Sequence, residues 1–460
     1  MVSHGYICKD LMDTILTPII KDKKGNISSK DNYRPIAVTS VISKVLESVI
    51  LDRYKMCFIT CDSQFGFKNE HSIDLCTFTL KHVINYYHEM SSPVFVCYLD
   101  ASKAFDRLNF WSLFDKLLNR GMPDFIVRLL MYWYTHQCFY VRWGASISEA
   151  FYSSNGVRQG GVLSPHLFNV YVDDLSQDLI LSKAGCFINN VCVNHLMYAD
   201  DTVLLAPSAR GLQHLLSICQ NFANDCDITF NLKKTVYMCF KTKSVKMTKV
   251  PQVFLNDKAI SLVNEYKYLG FFINDCSKDD CDINHQLRNL YARGNTLIKT
   301  FKFCSDDVKI QLFKTYCSSF YSCHLWAKFS PESLRRICVA YNRVFRIFFG
   351  LYQRISMSKT FIDYGVHHFN VIRRKYVTGF LSRLENSDNS IICEILCSSF
   401  YINSSMYSTW CKIAFYFSNT LLSVFICDSY CSINCSVCNS VYMYLFFTHS
   451  FVNFDCILLS

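Results

Sequence analysis

Two apolar periodicities take turns along the chain. Short, nearly unbroken apolar runs of the kind that form buried strands occur at 94–100 (VFVCYLD), 236–240, 253–255 and 268–273, and they flank a break at 195–205 (HLMYADDTVLL). Further short strands read at 138–143, 149–153 and 187–193. Spacing of three and four residues predicts helices elsewhere. At 41–50, Val41, Val45 and Val49 with Leu46 and Ile50 define one face; another helix covers 73–88; beyond Asp100, Phe110, Phe114, Leu117 and Leu118 line one side and Gly121 ends the run. Helices follow at 124–136, from Ser164 with Ser164-Pro165 as N-cap and first-turn pair, and at 209–226. Residues 21–36 (KDKKGNISSKDNYRPI) read as a basic loop, and from 284 to about 384 the pattern is helical and basic. This order predicts an α+β unit built around a small antiparallel sheet, followed by a mostly helical one.

Composition narrows the class. With 460 residues and 51% hydrophobic content, the chain can bury a real core, and disorder is excluded. Lys and Arg number 47 against 37 for Asp and Glu, an excess of ten positive charges that suits a polyanion such as nucleic acid. No basic stretch followed by an apolar run opens the chain, so no secretory signal is expected; the 25 cysteines read as buried thiols in a reducing compartment, nucleus or cytoplasm. The composition shifts near residue 390. The tail 391–460 holds eight of the cysteines, with Lys412 as its single basic residue, and does not read as a continuation of the preceding domain. Cys427, Cys431, Cys435, Cys438 and His449 lack the paired spacing of a zinc site, and the apolar run 413–427 is short for a membrane span.

Asp100 ends one apolar strand, and Asp200 and Asp201 occupy the tip of the hairpin expected at 195–205. Taken alone, that tip serves equally well as a solvated acidic turn. If the two strands are antiparallel neighbours, however, the carboxylates converge on one edge and offer hard oxygen ligands to a pair of magnesium ions.

CYLDASKAFD (97–106), VRQGGVLSP (157–165), MYADD (197–201), NLKKT (231–235) and YKYLG (266–270), in that order, resemble the successive motifs of reverse transcriptases, most closely those of non-LTR (LINE-type) retrotransposons of the jockey and CR1 kind. The resemblance covers about residues 10–380. It implies a right-hand polymerase with fingers (1–92), palm with interleaved fingers elements (93–275) and helical thumb (276–390). It also implies extension of a DNA primer on an RNA template with dNTPs, using two magnesium ions or manganese in their place.

Residue by residue, the resemblance assigns Asp100, Asp200 and Asp201 to catalysis and metal binding. Asp100 and Asp200 are expected as the more direct ligands, because successive residues of a regular strand point to opposite faces. Phe105 matches the steric gate that excludes a ribose 2′-hydroxyl, and Asp106 beside it reads as structural. Arg158, Gln159 and Gly160 form the turn that meets the incoming nucleotide. Lys21 and Arg34 match the residues that grip its triphosphate, with Lys23 and Lys24 as substitutes for Lys21. Lys234 matches a lysine that protonates departing pyrophosphate, with Lys233 as rival and Asn231 holding the loop. Tyr268, Leu269 and Gly270 resemble the primer-grip turn. The basic residues after 284 have the place of a thumb that tracks phosphates.

Full-length elements of this kind carry an endonuclease before the polymerase, whereas here the polymerase motifs begin within about 20 residues of Met1. The chain is therefore expected to be a fragment that does not nick its own target. Two contrary readings remain open at this level: a relic that binds nucleic acid without catalysis, and a maturase-like enzyme, which would need a different domain after the thumb.

Overall fold

The computed structural model describes residues 6–101, 104–242, 249–352 and 354–414. Two compact units divide the chain, Met1–Thr409 and Trp410–Ser460. The tail cysteines Cys427 to Cys438, His449 and the apolar run beyond 414 lie outside the described residues. Among the described residues, no helix is long and apolar enough to cross a membrane.

The first unit opens with α1 (Lys9–Met12), β1 (Asp13–Ile20), β2 (Tyr33–Val38), α2 (Val41–Arg53), α3 (Ile73–Glu89) and β3 (Val94–Asp100). There follow α4 (Ala104–Arg107), α5 (Phe110–Asn119), α6 (Asp124–His136), β4 (Cys138–Trp143), β5 (Ser146–Ile147), β6 (Phe151–Tyr152) and α7 (Ser164–Leu181). After two short strands, β7 (Phe187–Ile188) and β8 (Val191–Cys192), come β9 (His195–Tyr198), β10 (Asp201–Ala206), α8 (Ala209–Asp225) and β11 (Val236–Phe240). The expected α+β class is what the fold displays.

One sheet has the order β2-β1-β4-β5, with β6 also on β4. Its β1–β2 hairpin replaces the plain loop read from 21–36. The prolines concealed it: Pro18 and Pro35 lie opposite each other in the register, and proline inside a run argues against a strand. The second sheet has the order β12-β11-β3-β10-β9, where β12 is Ser261–Leu262. Its central strand β3 is buried from Val94 to Leu99, because β10 and β11 cover both its edges and helices pack on its side chains. The two carboxylate-bearing strands are thus antiparallel neighbours, as the acidic-edge argument required.

The helical part begins at Asp280–Phe301 and continues through Asp306–Tyr316, Pro331–Phe349, Met357–Asp363 and Phe369–Glu385. Residues 390–409 belong to the same unit, contrary to the boundary placed at 391. Ile391, Ile392 and Ile395 of the helix Ser390–Cys397 are buried, and the Ser390 N–H donates to Asp62 at 2.9 Å.

The α2 helix forms where expected, with Ile50 and Leu46 of the expected face against the core but its valines outward. Val41, Val45 and Val49 are more than half exposed, whereas Ser43, Glu47 and Ile50 are buried.

Candidate active site

Why the acidic tip is held still is evident from its surroundings. β9 and β10 turn through Ala199, whose φ of 57° is unusual for a residue with a side chain. On the outer side of β9, the Phe65 N–H donates to Met197 O at 2.7 Å and the Met197 N–H to Ser63 O at 2.8 Å. Gly66 then rests against the turn so closely that a Cβ there would lie 2.5 Å from the Ala199 nitrogen. Asn169 of α7 fixes Gly66 in turn, its amide donating to the Gly66 carbonyl at 2.7 Å.

In the register, Asp201 faces Asp100 directly, so the two side chains leave the sheet on the same face. The alternation argument that ranked Asp201 behind Asp200 presumed a regular strand through both. The turn interrupts it, and Asp201 is the first residue of β10 while Asp200 stands on the turn itself. Asp201 has its carboxyl pushed up from 3.8 to about 6 by burial, then by the charges of Asp200 and Asp100. Enclosure by neighbouring atoms also raises Asp200; the Asp100 charge adds to this, and Arg34 and Lys234 oppose it.

The NLKKT loop packs on the end of β3. The Asn231 N–H donates to the Asp100 carbonyl at 2.8 Å, and the Asn231 carboxamide oxygen accepts from the Lys233 N–H at 3.1 Å. This leaves Lys234 with its ammonium 3.4 Å from the Asp100 carboxylate, while Lys233 has no such placement. Arg34 on β2 is near enough to act electrostatically on Asp200. Lys21 is held at its own loop, its ammonium donating to the Asp31 carbonyl at 2.9 Å.

The Arg158-Gln159-Gly160 turn lies against β2. The Ala37 N–H of β2 donates to the Gln159 carbonyl at 2.7 Å. Gly160 has φ 118°, and a Cβ there would come within 2.8 Å of the Ala37 oxygen, so only glycine fits. The Gln159 amide donates to Asp106 at 3.1 Å. Arg158 corrects the expectation for this turn: its side chain does not face the acidic corner. It is buried in an ion pair with Glu47 and lies over the Trp133 ring, 4.7 Å from its centroid.

Glu47 escaped the sequence reading because it sits on a helix whose valines suggested the opposite face. It also holds the backbone just before α7. Its second oxygen accepts from the Val162 and Leu163 N–H groups at 2.5 and 3.3 Å, while Ser164 makes no capping bond.

Phe105 is half-buried, stacked on Phe168 of α7 with centroids 4.4 Å apart and planes 15° from parallel. Phe168 in turn lines a small apolar cavity with Ala101, Ala199 and Asp200, so the Phe105 ring belongs to the wall that carries the acidic tip.

Tyr268, Leu269 and Gly270 form the turn of a hairpin, Glu265–Tyr268 with Phe271–Asn274. Leu269 and Gly270 both have positive φ, 46° and 87°, which suits a two-residue hairpin turn. The Tyr268 side chain is core, its hydroxyl 3.3 Å from Cys76, while Tyr321 lies against the turn and donates its hydroxyl to the Leu269 carbonyl at 3.0 Å. Behind the hairpin, buried Asp282 accepts from the Phe272 N–H at 3.2 Å and from the Trp326 indole at 2.7 Å. Lys81 of α3 pairs with Asp279, which also accepts from the Ala327 and Lys328 N–H groups.

Asp100, Asp200 and Asp201 are a hard oxygen donor set with an excess of negative charge that Lys234 offsets only in part. Among the described residues, no three His, Cys, Asp or Glu groups converge on one point as the side chains stand. Mutual repulsion keeps like charges apart, and a divalent cation is the counter-charge that removes it. The donor chemistry present therefore suits a hard divalent cation.

Residues 20–273 match the family described as reverse transcriptase (RNA-dependent DNA polymerase). The chain is similar to a probable RNA-directed DNA polymerase from transposon X-element of Drosophila melanogaster, 27% identical over 336 residues, covering 69% of this chain and 36% of that protein. It is also similar to the RNA-directed DNA polymerase from mobile element jockey of Drosophila funebris, 24% identical over 409 residues, covering 84% and 43%. The chain thus spans well under half the length of these relatives. Among solved structures, a telomerase from Candida tropicalis aligns with a TM-score of 0.44 at 12% identity, covering 89% of this chain and 64% of that one.

Proposed function

This chain belongs to the reverse transcriptase family, and we propose that it extends a DNA primer on an RNA template with dNTPs, as the polymerase part of a non-LTR retrotransposon protein. The observation that carries the reading is the register of Asp201 against Asp100, with Asp200 on the adjoining turn. In this reading the β2-β1-β4 sheet and its helices are fingers, the β3-centred sheet is the palm, and the helices after residue 276 are the thumb. Work in the nucleus or cytoplasm belongs to the same proposal.

Asp100, Asp200 and Asp201 would hold two magnesium ions, which supply Lewis-acid activation of a primer 3′-hydroxyl and stabilise the charge on leaving pyrophosphate. Arg34 offers its planar fork to triphosphate oxygens, with Lys21 supplying charge from the neighbouring loop. The Gln159 amide and the bare backbone of Gly160 border the nucleotide from the opposite side. The Phe105 ring crowds the sugar edge and excludes a 2′-hydroxyl. Lys234 keeps an ammonium proton beside Asp100 that can pass to the leaving group. The Leu269-Gly270 backbone meets the primer strand.

Primer extension on poly(rA)–oligo(dT) with dTTP and magnesium tests the proposal. The parent protein is expected to extend the primer. Asp200→Asn is expected to abolish extension while primer–template affinity stays within about threefold, since the phosphate contacts are untouched. A parent protein without extension refutes the polymerase reading; an active Asp200→Asn refutes the metal assignment.

A further inference from the structure

We propose that Glu47 is a positioning residue for nucleotide selection, setting the Arg158-Gln159-Gly160 turn at the distance from β2 that the incoming dNTP requires. The inference rests on the polymerase reading above and deepens it.

Glu47 and Arg158 are each about as buried as a side chain can be, both 1% exposed. Taking two such charges out of water costs several kcal/mol, and an apolar pair of similar volume is often as stable. Stability alone therefore does not explain the pair, and its geometry supplies a reason. One Glu47 oxygen receives the Arg158 guanidinium, from the residue that enters the turn. The other receives the Val162 and Leu163 N–H groups, just after the turn and at the start of α7. A single carboxylate thus bolts down both ends of a loop whose tip is Gln159-Gly160.

The tip itself touches β2, through the Ala37 N–H on the Gln159 carbonyl and the close approach of Gly160. β2 carries Arg34, and α2, which follows β2 after Ser40, carries Glu47. Glu47 therefore ties the Gln159 side of the nucleotide site to the chain segment bearing the Arg34 side. Trp133 of α6 backs the guanidinium and limits its movement. Losing the carboxylate charge loosens both ends of the turn at once and leaves the gap between Arg34 and Gln159 to the single Ala37–Gln159 hydrogen bond.

The test is steady-state primer extension by the full chain, with dTTP varied. Glu47→Gln, nearly isosteric, is expected to raise KM for dTTP about tenfold, with kcat far less affected and primer–template affinity within about twofold, the pattern of a lost ground-state positioning contact. The double variant Glu47→Leu with Arg158→Met removes both charges and keeps the volume. It is expected to recover the parent's thermal midpoint yet keep the raised KM, which a structural pair would not do. It also covers the case in which Glu47→Gln fails to fold. An unchanged KM in folded Glu47→Gln, or a double variant that restores KM together with stability, overturns the inference while the active parent keeps the polymerase reading intact. A parent that extends nothing overturns that reading, and the inference with it.

Discussion

In the absence of divalent metal, Asp201→Asn is expected to make the protein more stable while ending synthesis. The charge on Asp201 is disfavoured in the fold, since its carboxyl is pushed up from 3.8 to about 6. A displacement of that size corresponds to about 3 kcal/mol against the ionised form. Because Asp201 is partly open to solvent, about half of that is the reasonable expectation. The sign follows from proton binding: the folded state holds this proton more tightly than the unfolded chain, so stability falls as pH rises from about 4 to 6 and the full penalty persists above. The asparagine side chain carries no such penalty. In EDTA at pH 7.5 the variant should gain about 1–2 kcal/mol, or about 2 °C in thermal midpoint for a protein of this size. Near pH 3.5 the difference should vanish. Thermal unfolding followed by circular dichroism measures both. Magnesium should then raise the midpoint of the parent more than that of the variant, because an ion bound only to the folded state stabilises it by mass action. A variant no more stable than the parent in EDTA at pH 7.5, or a gain that persists unchanged at pH 3.5, would refute the account of Asp201 as a carboxylate disfavoured by burial and by its acidic neighbours.

Phe105→Val should lower discrimination between dTTP and UTP by about 10- to 100-fold, the range that one steric contact commands, while extension with dTTP continues; unchanged discrimination in competitive incorporation removes Phe105 from sugar selection. Truncation after Asn389 removes buried Ile391, Ile392 and Ile395 and should destabilise the protein by about 5 kcal/mol relative to truncation after Ala414, at ~1.5–3 kcal/mol per buried side chain. Equal midpoints for the two truncations in thermal melts would return the domain boundary to 391.

Where burial followed apolar pattern, the sequence was a sufficient guide. The strand ending at Asp100, the helix 124–136, the hairpin around Asp200 and the strand 236–240 are all found within a residue or two. The acidic corner was legible for the same reason: carboxylates at the ends of apolar strands stand out from their surroundings. What failed to show were places where a polar residue is inside or an apolar one outside. Val41, Val45 and Val49 outvote Glu47 on any hydrophobicity count, yet the valines are exposed and Glu47 is buried in its ion pair with Arg158. Ser164-Pro165 has the residues of a helix start, and α7 does begin at Ser164, but no side chain caps it.

These exceptions share a location. Glu47 with Arg158 holds the nucleotide-side turn, Lys81 with Asp279 backs the hairpin that carries Leu269 and Gly270, and Asn169 fixes Gly66 beneath the acidic turn. Each joins segments about a hundred or more residues apart, so no local pattern announces it. Each also breaks the local rule that buried means apolar, and such breaks gather where geometry has to be held for a task. A core of apolar side chains tolerates small slippage, whereas a buried carboxylate between a guanidinium and two N–H groups has one good arrangement. The corner thus combines an acidic set that repels itself with polar anchors behind it that keep its backbone from relaxing. That combination explains why the sequence reveals which residues carry charge at the edge but conceals those that keep the edge in place.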